Sequence, residues 1–535
     1  MKRLLPALLA IFLAACAIGP SVELAPSSGL TFVHMNDTYR VGAVEDGKAG
    51  GLSRVTTVVR DLQAQGRDVR VLHGGDFLFP SLESSLWNGL QMVDAMNFID
   101  AIAPMYVVAG NHEFDSRTAD FLIDAVRDSQ FDWIGDNYRF ATGDEAVDSA
   151  VASAFTLQHG DKTIGVFSLT LHADDGGNER DYVRVDKNFI ASATATIEHF
   201  EKIGVDAIIG LTHLKLSQDL RVAELRAQHP KFVFIVGGHD HEPEYSPLND
   251  SNAALFKGAS NARVIWTIDL DFDETGAPQV AATKRQLDES VAVDADYRVL
   301  EDKWRAALLQ VFPFLEARIG TAAIPLDARE ATVRSEESSW GNFIVDQMRT
   351  AFGEPVADLA FINGGTLRID DYIAGDILFE DIGRTFGFSS YLRYMTVTGA
   401  EFRKLMEAGY RGSGGTQGHF PQIAGFRVCV DRRRKEGDRI VSLQVPISDG
   451  EEESWSEIDS DSNYSLVVPD FLYGGGDGYQ IPQDPPASRP GSELMYLVLD
   501  GILDAQARGE MIGKAVDKAN PRYHELLEAK QACFK

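Results

Sequence analysis

The chain has few positively charged residues and few long apolar runs. The first shortage argues against nucleic acid partners, and the second against membrane-spanning segments beyond the N-terminus. Lysine and arginine number 50 against 80 aspartates and glutamates, for a formal net charge of −30. Such a surface repels nucleic acid polymers, so we expect no polynucleotide partner. It repels small anions as well, so any phosphate site must depend on local metal and arginine charge. Beyond the N-terminus no stretch is apolar and long enough to cross a membrane, and no internal repeat is evident.

The one sizeable apolar run stands at the N-terminus. Two basic residues precede a run from Leu4 to Ala15, which is shorter than the ~20 residues of a spanning helix. Its ending, Leu13-Ala14-Ala15-Cys16, predicts a lipoprotein signal peptide over residues 1–15 and lipid on Cys16. A plain secretory signal is the alternative. We therefore expect an exported, lipid-anchored protein that faces the periplasm or lies at the cell surface.

Cysteine is scarce, with three residues in the whole chain. Once Cys16 is assigned to lipid, Cys429 and Cys533 remain, in a compartment that permits disulfides. A bond between them and an unbonded, buried thiol at Cys429 are both open. The sequence does not give the distance between their Cα atoms.

The chain is too long for one core, and its pattern changes near residue 290, so we predict two domains. After a tether over residues 16–29, residues 30–290 alternate short apolar runs with helix-patterned segments, which indicates helices packed on a largely β sheet. Strands are predicted at Thr31–His34, Val69–His73, Tyr106–Ala109, Thr163–Leu169, Ala207–Leu211 and Phe232–Val236, and helices at Leu52–Gln65 and Ala191–Ile203. A linker helix is predicted within residues 291–319, ending near Pro313, before a second domain over residues 320–535.

Side chains that bind metals follow the predicted strands in order. The set is Asp37, Asp76, Asn111, His213, His239 and His241. Because the carboxyl ends of the strands meet at one edge of a sheet, separate loops bring these side chains together. Carboxylate, amide and imidazole are ligands for borderline to hard divalent ions. His34 and His73, each lying just before a motif aspartate, are expected to be structural.

With these motifs in order, the chain resembles the bacterial and animal 5′-nucleotidase family over nearly its whole mature length. The motifs are Asn36-Asp37, Gly75-Asp76, Gly110-Asn111-His112-Glu113, Thr212-His213 and Gly238-His239-Asp240-His241. The resemblance implies an α/β protein of two domains. The N-terminal one would be a calcineurin-like metallophosphatase β-sandwich flanked by helices, and the C-terminal one an α+β 5′-nucleotidase domain that binds substrate.

The resemblance also implies two divalent ions, with Mn, Zn or Co expected. One ion would take Asp37, Asp76 and His241, and the other Asp76, Asn111, His213 and His239. Two ions ~3.5–4 Å apart hold a hydroxide and clamp a phosphoryl oxygen for in-line attack. His112 would stabilise charge on the transferring phosphoryl group or the leaving oxygen, and Asp115 would orient its ring.

The first motif departs from the family pattern, since Asp37-Thr38-Tyr39 stands where the family has Asp-x-His. One imidazole ligand of the first ion is therefore missing. Water in the gap, ligation by Tyr39 as phenolate, and weak occupancy are the alternatives. We favour water, because a phenol with pKa ~10 needs a strong Lewis acid to ionise at neutral pH.

In the C-terminal domain the resemblance implies a nucleotide pocket. Phe388 and Phe471 match two aromatic residues that sandwich a base, a contact worth ~1–3 kcal/mol per base. Arg334 and Arg368 match phosphate-side arginines, Asn363 matches a base or sugar contact, and Asp477 matches an acceptor for ribose hydroxyls. Taken singly, the glycine-rich loops in this domain are equally typical of turns.

The resemblance thus predicts a metal-dependent phosphoesterase that hydrolyses nucleoside 5′-phosphates. UDP-sugar or dinucleotide pyrophosphate hydrolysis, 2′,3′-cyclic phosphodiesterase activity or hydrolysis of another ester would use the same site. A non-catalytic binding lipoprotein is the alternative of another class, and the intact pair His112 and Asp115 argues against it. No oligomeric state is predicted.

Overall fold

A computed structural model describes residues 29–173, 180–412, 414–447, 454–482, 489–528 and 531–534. The predicted signal peptide and Cys16 lie outside these residues. Of the helices in the described ranges, none combines the length and the apolar character needed to span a bilayer.

The N-terminal domain alternates strands and helices, as predicted. Its strands are β1 (Leu30–Met35), β2 (Asp68–His73), β3 (Met105–Val107), β4 (Asp132–Ile134), β5 (Tyr138–Phe140), β6 (Val151–Ala152), β7 (Phe155–His159), β8 (Lys162–Thr170), β9 (Val183–Val185), β10 (Ala207–His213), β11 (Phe232–Gly237), β12 (Tyr245–Ser246), β13 (Ala254–Lys257), β14 (Val264–Phe272) and β15 (Pro278–Gln286). Its helices are α1 (Leu52–Ala64), α2 (Leu82–Trp87), α3 (Leu90–Asp100), α4 (Asp120–Asp128), α5 (Glu145–Asp148), α6 (Phe189–Ile203) and α7 (Leu216–Ala223). The six predicted strands and two predicted helices are confirmed, with ends that differ by at most two residues.

Two mixed sheets form a sandwich with helices outside. Their strand orders are β15-β14-β1-β2-β3-β4-β6 and β12-β13-β11-β10-β8-β7. Because both faces of the central strands are covered, these strands are apolar along their length, and all seven residues of β10 are buried. Phe32 of one sheet meets Phe234 of the other, with ring centroids 5.7 Å apart. Parallel pairing of β1 with β2 and of β10 with β11 brings their carboxyl ends to a common edge.

The predicted linker helix is α8 (Ala295–Val311), which ends two residues before Pro313. It begins at Asp294, whose side chain accepts hydrogen bonds from the backbone N–H groups of Asp296 and Tyr297. The ring of Trp304 packs against Trp87 of the first domain, with centroids 5.0 Å apart.

The C-terminal domain has its own apolar cores, built on a five-stranded sheet and a four-stranded sheet with orders β22-β18-β26-β21-β27 and β25-β24-β23-β28. Its strands are β16 (Arg318–Thr321), β17 (Leu326–Asp327), β18 (Leu359–Asn363), β19 (Tyr372–Ile373), β20 (Asp376–Leu378), β21 (Tyr391–Thr398), β22 (Pro421–Ala424), β23 (Arg427–Val430), β24 (Ile440–Ile447), β25 (Ser454–Glu457), β26 (Asn463–Pro469), β27 (Arg489–Glu493) and β28 (Tyr523–Glu525). Its helices are α9 (Glu330–Val333), α10 (Ser339–Thr350), α11 (Phe379–Thr385), α12 (Gly399–Gly409), α13 (Asp470–Tyr473) and α14 (Leu494–Ala507).

Cys429 and Cys533 form a disulfide, with Cα atoms 5.5 Å apart. Cys429 is also fully buried within β23, so it is a bonded cysteine in a buried strand. The bond ties the C-terminal end of the chain to the four-stranded sheet.

Candidate active site

The six predicted ligands meet at the shared strand edge. Asp37, Asp76 and Asn111 lie in the loops after β1, β2 and β3, His213 ends β10, and the two remaining histidines follow β11. Four of the six have left-handed backbone angles, with φ of 52° at Asp37, 61° at Asp76, 82° at His239 and 61° at His241. Such angles cost side-chain-bearing residues ~1–3 kcal/mol each and cluster at functional sites.

Tyr39 lies close to the three side chains predicted to bind the first ion. His241 Nε2 is 3.2 Å from Asp37 Oδ1, and the Tyr39 hydroxyl oxygen is 2.9 Å from the same nitrogen. That hydroxyl also lies 3.3 Å from Asp37 Oδ1 and 3.5 Å from Asp76 Oδ2. Ligand atoms about 3 Å apart are typical of sites that hold ions at ~2.0–2.2 Å.

The second group adjoins the first through Asp76. Its Oδ2 lies 3.2 Å from His213 Nε2, and Asn111 Oδ1 lies 3.2 Å from that nitrogen and 3.1 Å from His239 Nδ1. Asp37, Asp76 and His213 offer ligand atoms that all lie within 4.8 Å of one another. The donor set, all oxygen and nitrogen, fits two divalent ions that share Asp76.

The electrostatics of the site favour a cation. Burial lowers the pKa of His213, but the carboxylates of Asp76 and Asp37 raise it to about 9. Burial likewise lowers the pKa of His241, and Glu330 with Asp37 raises it to about 9. A cluster of buried carboxylates that draws protons onto imidazoles also draws metal ions to the same place.

Glu113, the last residue of the Gly-Asn-His-Glu motif, braces the loops. Its fully buried carboxylate accepts hydrogen bonds from the backbone N–H groups of Asp76, Phe77, Leu78 and Gly110, at 2.5–3.0 Å. Gly110 is required here, because a Cβ at this position would lie 2.2 Å from Asp76 Oδ1. The motif contains Glu113, but its four backbone partners are visible only in the fold.

Lys257 braces the loop that carries His239 and His241. Its fully buried ammonium group donates to the carbonyl oxygens of Leu214 and Gly238 at 2.6 and 2.9 Å, and pairs with Asp219 at 2.8 Å and Asp240 at 2.5 Å. Sequence reasoning missed this residue, since a lysine in an apolar strand carries no motif signal.

His112 faces the metal-ligand cluster. Its Nδ1 lies 2.7 Å from Asp115 Oδ2, which orients the ring, and its Nε2 lies 3.9 Å from Asp76 Oδ2. Arg368 Nη2 is 3.4 Å from the same Nε2, although Arg368 belongs to the C-terminal domain. The pair and the arginine therefore border the position where a phosphoryl group would meet the ligands.

Comparison with known proteins identifies the family. The family model described as calcineurin-like phosphoesterase matches residues 30–243, and that described as 5′-nucleotidase, C-terminal domain, matches residues 318–484. The chain belongs to the 5′-nucleotidase family of metallophosphoesterases. It is a hydrolase of this class, and the predicted two-domain fold is confirmed.

Individual relatives span nearly the whole chain. The 5′-nucleotidase of Homo sapiens is 24% identical over 510 residues, which cover 86% of each protein. The structure of the 5′-nucleotidase precursor from Thermus thermophilus matches with a TM-score of 0.77 at 23% identity, over 93% of this chain and 99% of that one. Sulfate thiohydrolase SoxB from the same organism matches with a TM-score of 0.73 at 14% identity, over 96% of this chain and 99% of that one.

Tyr39 marks this chain's departure from the family pattern. Its side chain is 7% exposed, and its hydroxyl points at an atom of each of the three ligands predicted for the first ion. Burial and the charges of Asp37 and Asp76 raise the pKa of Tyr39 well above its usual value, so without a cation the phenol is protonated.

His34 and His73, which the sequence predicts to be structural, have structural roles. His34 is buried between the carbonyl oxygens of Leu72 and Gly237, at 3.2 and 3.1 Å. His73 is hydrogen-bonded to Thr38 Oγ1 at 2.8 Å, and burial lowers its pKa to about 3. Both rings support the loops that carry ligands.

The two arginines predicted to bind phosphate, Arg334 and Arg368, lie beside the predicted metal ligands. Arg334 is buried, pairs with Glu330 at 2.7 Å and lies 3.4 Å from His241 Nδ1. The guanidinium of Arg368 stacks over the rings of Tyr39 and Phe388, 5.7 and 5.3 Å from their centroids. The Nε atoms of both arginines are buried without a hydrogen-bond partner in the described part of the chain, which suits an anionic ligand.

The other pocket residues form two groups. Phe388 lies beside His112, with ring centroids 6.0 Å apart, so it borders the predicted catalytic pair. Asn363 Nδ2 donates to Asp477 Oδ2 at 2.7 Å, and burial raises the pKa of Asp477. Phe471 is 52% exposed and packs on the glycine loop that carries Asp477, where a Cβ at Gly476 would lie 2.5 Å from its ring. Their roles toward a nucleotide remain predictions.

Proposed function

We propose that this protein hydrolyses nucleoside 5′-phosphates at the interface of its two domains, using two divalent ions of the Mn, Zn or Co type. The observation that carries the proposal is the meeting of His112 and Asp115 with the metal-ligand cluster on one side and Arg368 on the other. Chemistry and substrate recognition come from different domains, so the site is complete only where both meet.

The side chains of the site have separate roles in the proposed reaction. Asp115 holds Nδ1 of His112, which leaves Nε2 directed at the reacting phosphoryl oxygen or leaving oxygen. Arg334 and Arg368 hold the phosphate, and Phe388, Phe471, Asn363 and Asp477 hold the nucleoside. When bound, the two ions lower the pKa of a coordinated water and neutralise charge on the phosphoryl group.

We infer that Tyr39 faces the first ion in place of the missing imidazole, rather than leaving its position to water. The distances from its hydroxyl to Asp37, Asp76 and His241 support this. The sequence favoured water, because it does not reveal where the hydroxyl points.

Phosphate release separates the candidate functions. The protein is loaded with Mn²⁺, Zn²⁺, Co²⁺ or Mg²⁺ and offered nucleoside monophosphates, UDP-sugars, cyclic nucleotides and an aryl phosphate. We expect the highest kcat/KM with nucleoside 5′-monophosphates. Nucleotides no better than the aryl phosphate would overturn the nucleotidase assignment, and no release with any metal would favour a binding lipoprotein.

We also propose export and lipid anchoring through Cys16, on the evidence of the N-terminal sequence pattern. Cells fed an alkyne fatty acid should label the wild type and not Cys16→Ser, and the variant should leave the membrane fraction. Equal labelling of both proteins would refute the anchor.

A further inference from the structure

Glu330 connects the C-terminal domain to a metal ligand of the N-terminal domain. It is the first residue of α9, and its Oε1 lies 2.6 Å from Nδ1 of His241. The side chain is buried, and its other oxygen accepts a hydrogen bond from Ser260 Oγ at 2.5 Å. Sequence reasoning missed this residue, which belongs to none of the motifs.

The carboxylate of Glu330 is held from both domains. Arg334 pairs with it at 2.7 Å from within its own domain, and Arg263 of the first domain pairs with it at 3.3 Å. Asp370 accepts from the Glu330 backbone N–H at 2.9 Å and from Asn261 Nδ2 at 3.2 Å. The carboxylate therefore has a defined position relative to His241 only where the domains are in contact.

The contact with Glu330 determines which ring nitrogen of His241 faces the predicted first-ion site. With Nδ1 donating to Glu330, the neutral ring that binds a metal ion would carry its lone pair on Nε2, which lies 3.2 Å from Asp37 Oδ1 in the first-ion group. A carboxylate behind a ligating imidazole selects its tautomer, orients the ring and raises its basicity. The first-ion site therefore includes a residue of the second domain.

We propose that Glu330 is a positioning residue for the first ion, so that the affinity for this ion depends on contact between the two domains. By linkage, binding of the ion favours the domain arrangement in which that contact exists. Glu330 is hydrogen-bonded to His241, which belongs to the ligand set predicted for the first ion, so we expect the dependence at that ion. The proposal rests on the proposed function only in requiring that His241 bind metal.

The test is a stepwise Mn²⁺ or Zn²⁺ titration of the full chain, without substrate. Glu330→Ala should weaken one of the two binding steps by ~10–100-fold and leave the other unchanged. Glu330→Gln should lose less, because the amide oxygen still accepts from Nδ1 of His241. Circular dichroism and thermal unfolding will show whether each variant is folded. If Glu330→Ala does not fold, the titration of Glu330→Gln still tests the proposal.

Asp371→Ala is the matched control. Asp371 accepts from the backbone N–H of Asp46 across the same domain interface, at 3.0 and 3.2 Å, and touches no metal ligand among the described contacts. We expect its metal affinities to equal those of the wild type. Unchanged affinities in folded Glu330→Gln and Glu330→Ala would overturn the proposal. Equal losses in Asp371→Ala would overturn the positioning role of Glu330, because they would show that loss of any contact between the domains weakens the site. Because the titration reads binding without turnover, a failure of the nucleotidase assignment leaves its result standing.

Discussion

Replacing Tyr39 tests whether its phenol oxygen is a ligand of the first ion. The Tyr39 hydroxyl oxygen lies 2.9 Å from His241 Nε2, 3.3 Å from Asp37 Oδ1 and 3.5 Å from Asp76 Oδ2. His241 Nε2 lies 3.2 Å from Asp37 Oδ1. Separations of 2.9–3.5 Å between donor atoms are compatible with the ~2.0–2.2 Å bond lengths of oxygen and nitrogen ligands around zinc.

The expected loss of metal affinity follows from the binding free energy per ligand. Four-ligand zinc sites bind with ~10–16 kcal/mol, so one ligand contributes about 3 kcal/mol, or ~100-fold in Kd. Tyr39→Phe removes the oxygen and keeps the ring, so it should weaken one binding step by about that factor. If the phenol is a ligand as proposed, Tyr39→His should not bind the first ion more tightly than the wild type does.

Metal titration and visible spectroscopy provide the assay. Protein loaded with ferric ion should show a tyrosinate charge-transfer band that Tyr39→Phe abolishes. Wild type and Tyr39→Phe with the same two affinities and no band would refute ligation and assign Tyr39 to packing. A histidine variant that binds the first ion more tightly than the wild type would instead support water in the gap.

Four further outcomes follow from contacts in the structure. His112→Ala should lower turnover by ~10²–10⁴-fold with metal content unchanged, since its ring is not a ligand; loss of metal would contradict this role. Phe471→Ala should weaken nucleotide binding by ~1–3 kcal/mol and leave hydrolysis of an aryl phosphate unchanged. Phe388→Ala should impair hydrolysis of both substrates, because Phe388 borders His112. Unchanged aryl phosphate hydrolysis in both variants would contradict this difference. Glu113→Gln keeps one acceptor oxygen for four backbone N–H groups, so urea unfolding should show a loss of about 2–6 kcal/mol, against little change for an exposed glutamate. Cys429→Ser should lower the free energy of unfolding by ~2–5 kcal/mol in oxidising buffer, and an equal loss under reducing conditions, where the wild type has no bond, would point to packing instead.

The sequence by itself determined the fold class and predicted which side chains meet at one edge of the sheets as candidate metal ligands. The reason is local. An apolar run followed by an aspartate or histidine predicts a buried strand with a polar residue at its carboxyl end, and parallel strands bring such ends together whatever the rest of the chain does. Asp37, Asp76 and His213 are identified by this pattern alone.

Only the tertiary structure decided what lies behind those ligands. Glu330 reaches His241 from the other domain, Lys257 braces the ligand loop from a neighbouring strand, and the Tyr39 hydroxyl points inward at the first ion's ligands. These contacts join residues distant in the chain, and each depends on side-chain direction and domain contact, which apolar periodicity does not encode. Buried polar groups must find partners within the fold, and the packing of the whole molecule determines which partners are within reach.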